Sequence, residues 1–116
     1  MDESILITIK KMLGLSADYD AFDLDIMVYV NSALMVANQL GIGPPNGFRI
    51  TGPNELWSDF IDDSINLESV KEMIAKHVQL SFDPPSNSFV ATSMENRIKE
   101  LEWRLNVQAE ANQNEQ

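Results

Sequence analysis

Cysteine is missing from all 116 residues, so disulfides, thiolate zinc sites and cysteine nucleophiles are excluded, and the fold must depend on packing or on assembly. Long hydrophobic runs are missing too. The longest, Ile26 to Val30, equalled by Ala33 to Ala37, falls far short of the roughly 18 to 20 apolar residues a membrane-spanning helix requires. The start Met1-Asp2-Glu3 is acidic where a signal peptide is basic, so a cytoplasmic product with no membrane partner is expected. Positive charge is scarce as well: eight Lys and Arg face eighteen Asp and Glu, a formal net charge of −10. Phosphate-gripping surfaces draw their affinity from clustered basic side chains, and the eight here are scattered. An acidic surface keeps a protein soluble, or makes a wall that repels nucleic acid and lets it slide past.

What is present is a chain 44% hydrophobic with no repeat, which fits one compact domain. Residues 4 to 13 place Ile5, Ile9, Met12 and Leu13 at the spacing of a short amphipathic helix, with Gly14 as its stop. Asp23 is placed to cap a second helix from about Leu24 to Leu40. Its polar positions Asp25, Ser32 and Gln39, joined by Asn31 and Asn38, form one stripe on an otherwise apolar cylinder. So apolar a helix needs cover on most sides, from its own neighbours or from another copy of the chain; Met27, Val30 and Leu34 are the candidate subunit-interface residues.

Gly41-Ile-Gly-Pro-Pro-Asn-Gly47 breaks that helix, and an extended segment is expected near residues 48–53. A short helix around Glu55 to Ile61 points Leu56, Phe60 and Trp57 inward and leaves Asp59, Asp62 and Asp63 in water. Asn66 is placed to cap a helix from Leu67 to about Phe82, with Val70, Met73, Ile74, His77 and Val78 on its apolar side. Asp83-Pro84-Pro85 ends it. The last helix runs from about Ser88 to Val107 along a Met94, Ile98, Leu101, Leu105 seam, supported by Glu95/Lys99 and Glu100/Arg104 pairs. The expected fold is an all-α bundle of four to five helices with Pro/Gly-rich connections: one domain over 1–107 and a flexible polar tail over 108–116.

No catalytic, cofactor or metal constellation stands out. The lone His77 sits on an apolar face without a partner motif, which suits a structural histidine. Asp18, Asp20, Asp23 and Asp25 lack the glycine and terminal glutamate of a calcium loop. Gly41-x-Gly43 follows a helix and precedes prolines, which have no amide to offer a phosphate. Catalytic, cofactor and metal residues are therefore all expected to be none, and the protein is expected not to be an enzyme.

The order of Lys10-Lys-Met-Leu-Gly-Leu15, Asp23-Leu-Asp-Ile26, Asn31-Ser-Ala33, Asn38-Gln-Leu-Gly-Ile-Gly43, Trp57-Ser-Asp-Phe60, Leu67-Glu-Ser-Val-Lys71, Phe82-Asp-Pro-Pro85 and Leu101-Glu-Trp-Arg-Leu-Asn106 resembles the head–tail connector (adaptor) proteins of tailed bacteriophages, over most of residues 5 to 107. That resemblance implies a structural virion protein at the head–tail junction, present in the host cytoplasm during assembly. It implies a homo-oligomeric ring beneath the phage portal protein, whose subunits can stay monomeric until the portal templates them. Such a ring extends the channel through which genomic DNA passes without sequence-specific binding, and it receives the next head-completion or tail protein. Within this frame Trp103, Arg104, Asn106 and Val107 are the candidate portal contacts, and Asp59, Asp62 and Asp63 the candidate channel-facing acids. The alternative is a small phage DNA-binding, packaging or regulatory protein with a helix-turn-helix. Against it stand the Pro-Pro connection and the lack of a basic helix.

Overall fold

A computed structural model of the chain describes residues 3–62 and 66–114, the last three of them by backbone alone. Among these residues there are five helices and no strand: α1 (Ile5–Met12), α2 (Asp23–Gln39), α3 (Trp57–Phe60), α4 (Leu67–Phe82) and α5 (Ser88–Asn114). No helix among them is long and apolar enough to cross a membrane. The protein is a small all-α bundle.

Ser4 opens α1, its hydroxyl accepting from the Ile7 amide at 3.3 Å, and the helix buries Ile5, Leu6 and Ile9. Met12, expected inward, is instead half in water, and the position one turn after Leu6 is taken by Lys10, only 1% exposed. Its ammonium reaches Asp23 at 2.8 Å and donates to the Ala17 carbonyl at 3.1 Å. A buried amine has to be paired, and the pair decides what Asp23 does. Asp23 was expected to cap α2; Phe22 holds the cap position without a side-chain cap bond, and Asp23 opens the first turn with its carboxylate turned to Lys10. Asn66 occupies the position before α4 as expected, but its side chain makes no capping bond.

α1 is also stitched to the segment before α3. Ile5 N donates to Glu55 O at 3.0 Å, Trp57 N to Glu3 O at 3.1 Å, and the Trp57 indole to the Thr8 hydroxyl at 3.1 Å. Residues 48–53 form no strand. Asn31 holds that segment instead, accepting from the Ile50 amide at 2.7 Å and donating to the Ile50 carbonyl at 3.0 Å. Asn38 does the same further along, donating to Pro44 O at 2.8 Å. Gly43 has φ +84°, and a β-carbon there would lie 2.4 Å from the Phe60 ring, so both backbone and space demand glycine.

Ile26, Val30, Ala33, Leu34 and Ala37 of α2 pack with Val70, Met73, Ile74 and Val78 of α4 in one core. The two helices run antiparallel. Phe22 meets Phe82 at 5.2 Å between ring centroids, while Gly41 to Pro44 share a groove with Asn66 and Val70. α5 lies differently. Arg97 binds Glu72 and the Lys76 side chain lies by Ser93, whereas Glu102 binds His77 and Leu105 lies by Val70. Glu72 and Lys76 occupy one flank of α4, Val70 and His77 the other, since successive residues turn by about 100°. α5 therefore crosses over α4, and its two ends overhang on opposite sides. It also runs on past Val107, the expected end, to Asn114.

Candidate functional site

Burial, not chemistry, separates the candidate residues. Among the described residues no group of three or more His, Asp or Glu is placed to hold a metal ion. A groove of about 540 Å³ lies between the α2–α3 connection and the C-terminal part of α5, and among the described residues lining it Asp62 is the ionisable one. His77 is half-buried, its Nε2 3.0 Å from Glu102, and serves to tie α4 to α5.

Ion pairs flank the α4–α5 crossing. Arg97 donates from Nε at 2.7 Å and Nη2 at 3.1 Å to the two oxygens of Glu72, a bidentate bond, and Lys76 lies 3.2 Å away. The Arg97 hydrogen bonds, helped by Lys76, hold the Glu72 carboxyl down at about 2, and Glu72 in turn raises the Arg97 guanidinium above its ordinary range. Glu100 binds Arg97 at 3.2 Å and Arg104 at 2.6 Å, extending the chain of ions along α5. Beneath it Ile98, Leu101 and Leu105 are buried as the seam requires, with Met94 half-covered.

The proposed portal-contact residues fall at one overhang. Trp103 is 67% exposed, and Val107, one turn further, shares its outward face. Arg104 is exposed beside them, while Asn106 turns inward and donates to the Leu40 carbonyl at 3.3 Å, pinning the root of the overhang to the end of α2. Asp59 and Asp62 are both exposed, but Asp59 is occupied, accepting from the Leu56 amide at 2.8 Å to start α3. Asp63 lies outside the described residues.

Of the expected subunit-interface residues, Val30 and Leu34 are fully buried against this chain's own helices, and Met27 is half-buried. They lie on the inward side because α2 packs on α4 along its whole length. The exposed apolar row is directly opposite: Leu24, 73% exposed, with Val28 and Met35. This row splits the expected polar stripe, leaving Asn31 and Asn38 on one side, where they hold the 44–50 segment, and Asp25, Ser32 and Gln39 on the other. A second exposed pair, Phe89 (84% exposed) and Val90, opens α5. Asn87 orders that start, accepting from the Phe89 amide at 2.8 Å. Both sets were missed in the sequence. Only Phe89 carried a signal, since it lies off the Met94, Ile98, Leu101, Leu105 seam, whereas Val90 continues that spacing one turn earlier.

A family model described as phage connector protein matches residues 5–112. No curated protein and no solved structure matches the chain.

Proposed function

The chain belongs to the phage connector protein family, a structural family of the virion head–tail junction, and from that premise we propose that it works as one subunit of a ring mounted under the portal. The ring extends the DNA channel and offers its far side to the next head-completion or tail protein. The observation that carries this reading is the family match across nearly the whole chain, and the projecting end of α5 supports it. An exposed tryptophan with a neighbouring valine and arginine is the composition of a docking anchor, since such side chains dominate binding energy at interfaces. Trp103, Arg104 and Val107 meet the portal, Asn106 fixes the angle at which they project, and residues 108–116 act as the arm that completes the contact. The subunit stays monomeric in the host cytoplasm until the portal gathers it. A charge of −10 per copy favours that, because like-charged subunits repel until a template holds them together.

The same negative charge suits a wall past which DNA slides. In this reading Asp59, Asp62 and Asp63 face the channel. Reversing Asp62 and Asp63 to Lys is expected to hinder DNA retention or ejection; normal infectivity of such particles removes both from the channel.

The connector reading is tested by pulling down the portal encoded in the same genome with the full chain and with a chain cut after Val107, and imaging the complexes by negative stain. A ring capping the portal, weakened by the cut, is the expected result. No binding by either form overturns it.

A further inference from the structure

Asn46-Gly47 is the one Asn-Gly dipeptide in the chain, and two other asparagines, Asn31 and Asn87, precede serine. An asparagine before a small residue is chemically labile, because the next backbone nitrogen can reach its side-chain carbonyl carbon, and a glycine has no β-carbon to obstruct the approach. The fold decides which of the three can react. Asn31 lies inside α2 with its side chain bonded to both the amide and the carbonyl of Ile50, and the helix fixes the nitrogen of Ser32. Asn87 accepts from the Phe89 and Val90 amides at 2.8 and 3.3 Å, and Ser88 after it is the first residue of α5. Asn46 is exposed in the α2–α3 connection, and no hydrogen bond among the described residues holds its side chain. Open space surrounds the place a β-carbon would take at Gly47.

We propose that Asn46 is a site of spontaneous deamidation and that Asn38 sets its rate. The Gly47 nitrogen gives its proton to solvent base and bonds to Cγ of Asn46. The side-chain nitrogen takes a proton from water and leaves as ammonia, closing a cyclic imide. Water then opens the imide at either carbonyl: breaking the new bond gives aspartate, and breaking the original peptide bond leaves the chain running through the side chain as isoaspartate. One water enters and one ammonia leaves. The segment gains a negative charge and, in the second product, a backbone methylene, just beyond the Pro44 that lines the groove under the projecting end of α5.

The gate is the carbonyl of Pro44. It accepts from the Gly47 amide at 2.9 Å and from Asn38 Nδ2 at 2.8 Å, so a single oxygen ties the reacting nitrogen to α2. While that turn is closed, the Gly47 hydrogen points at Pro44 and is shielded from base. Attack needs the turn to open, and an exposed connection opens locally while the core stays folded. Removing the Asn38 donor raises the open fraction about fivefold, the worth of one hydrogen bond of ordinary net strength.

The folded chain is incubated in mildly alkaline buffer beside the same chain in urea, and tryptic peptides are followed by mass spectrometry, with fragmentation assigning the residue and chromatography separating aspartate from isoaspartate. The folded chain is expected to lose the Asn46 amide ahead of Asn31 and Asn87, to give both products, and to react more slowly than the unfolded chain. Asn38→Ala is expected to accelerate the loss at Asn46 about fivefold and leave Asn87 unchanged; Asn38→Leu, which fills more of the vacated space, is the second variant, and circular dichroism melts confirm that each folds. Asn46→Gln, whose longer side chain closes its ring far more slowly, is expected to abolish it. A folded Asn46 still intact when the urea form has converted fully overturns the site, as does reaction of Asn31 or Asn87 first. Aspartate without isoaspartate also overturns it, because direct hydrolysis by water makes no isoaspartate. Equal rates folded and unfolded overturn the gate, as do Asn38 variants that react at the wild-type rate or that accelerate Asn46 and Asn87 alike.

Discussion

α2 and α5 both pack on α4, yet they are held in opposite ways. α2 lies along its partner and buries a full face; its start is tied by the Lys10–Asp23 pair, one member of which is out of reach of water, and its flank by two asparagines on the 44–50 segment. α5 crosses its partner, buries a short seam, and is held by ion pairs half open to solvent. Buried pairs fix a helix because breaking them strands a charge, whereas exposed pairs contribute little each. α2 is therefore the body of the fold, and α5 is the member that can present both its ends.

The comparison predicts a ranking of stability losses. Asp23→Ala strands the Lys10 ammonium in the core and is expected to cost about 3 to 5 kcal/mol in urea unfolding. Lys10→Met fills the same space and leaves Asp23 near water, so a smaller loss is expected. Equal losses would break the argument that burial of the amine is what matters. Asn31→Ala comes next. It removes partners from both the amide and the carbonyl of Ile50, a residue only 1% exposed, and about 2 kcal/mol is expected from the stranded polar groups. Protease cleavage within 44–50 should accelerate in parallel; cleavage unchanged from wild type would show that the segment is held by something else.

How much of this was legible in the sequence follows the same division. The extents of α1, α2 and α4 were readable within a residue or so, because apolar spacing and the stops at Gly14, Gly41 and Pro84 act locally. The chain order also carried the family. Caps were less readable, since Asp23 has the right identity for a cap and only the tertiary position of Lys10 takes it away. The crossing of α5 was not readable at all: the pairing of residues 72 with 97 and 77 with 102 is fixed by the turn through Pro84 and Pro85, and no periodicity records it. Val30 and Leu34 were placed at a subunit boundary because an apolar helix can be covered from within or from outside, and spacing alone does not say which side is which. Leu24, Val28 and Met35 became visible as a row only once the inward side was known.

The smallest expected effect probes the other half of the comparison, the crossing itself. Glu72 ionises at about 2 when folded against an ordinary 4.5, because Arg97 and Lys76 favour the carboxylate. A depressed carboxylate contributes fully above the ordinary value, so that contribution is lost as pH falls from about 4.5 to about 2. Arg97→Gln keeps length and polarity but removes the charge, and it is expected to lower the melting temperature slightly at neutral pH while flattening its decline over that acid window. Raising salt at neutral pH should narrow the gap between variant and wild type, because the pair is partly exposed and screened. A variant whose acid profile runs parallel to wild type would assign the decline to other carboxylates. A loss as large as that of Asp23→Ala would mean that α5 is fixed as firmly as α2, and that its overhanging ends are part of the body and not free to dock.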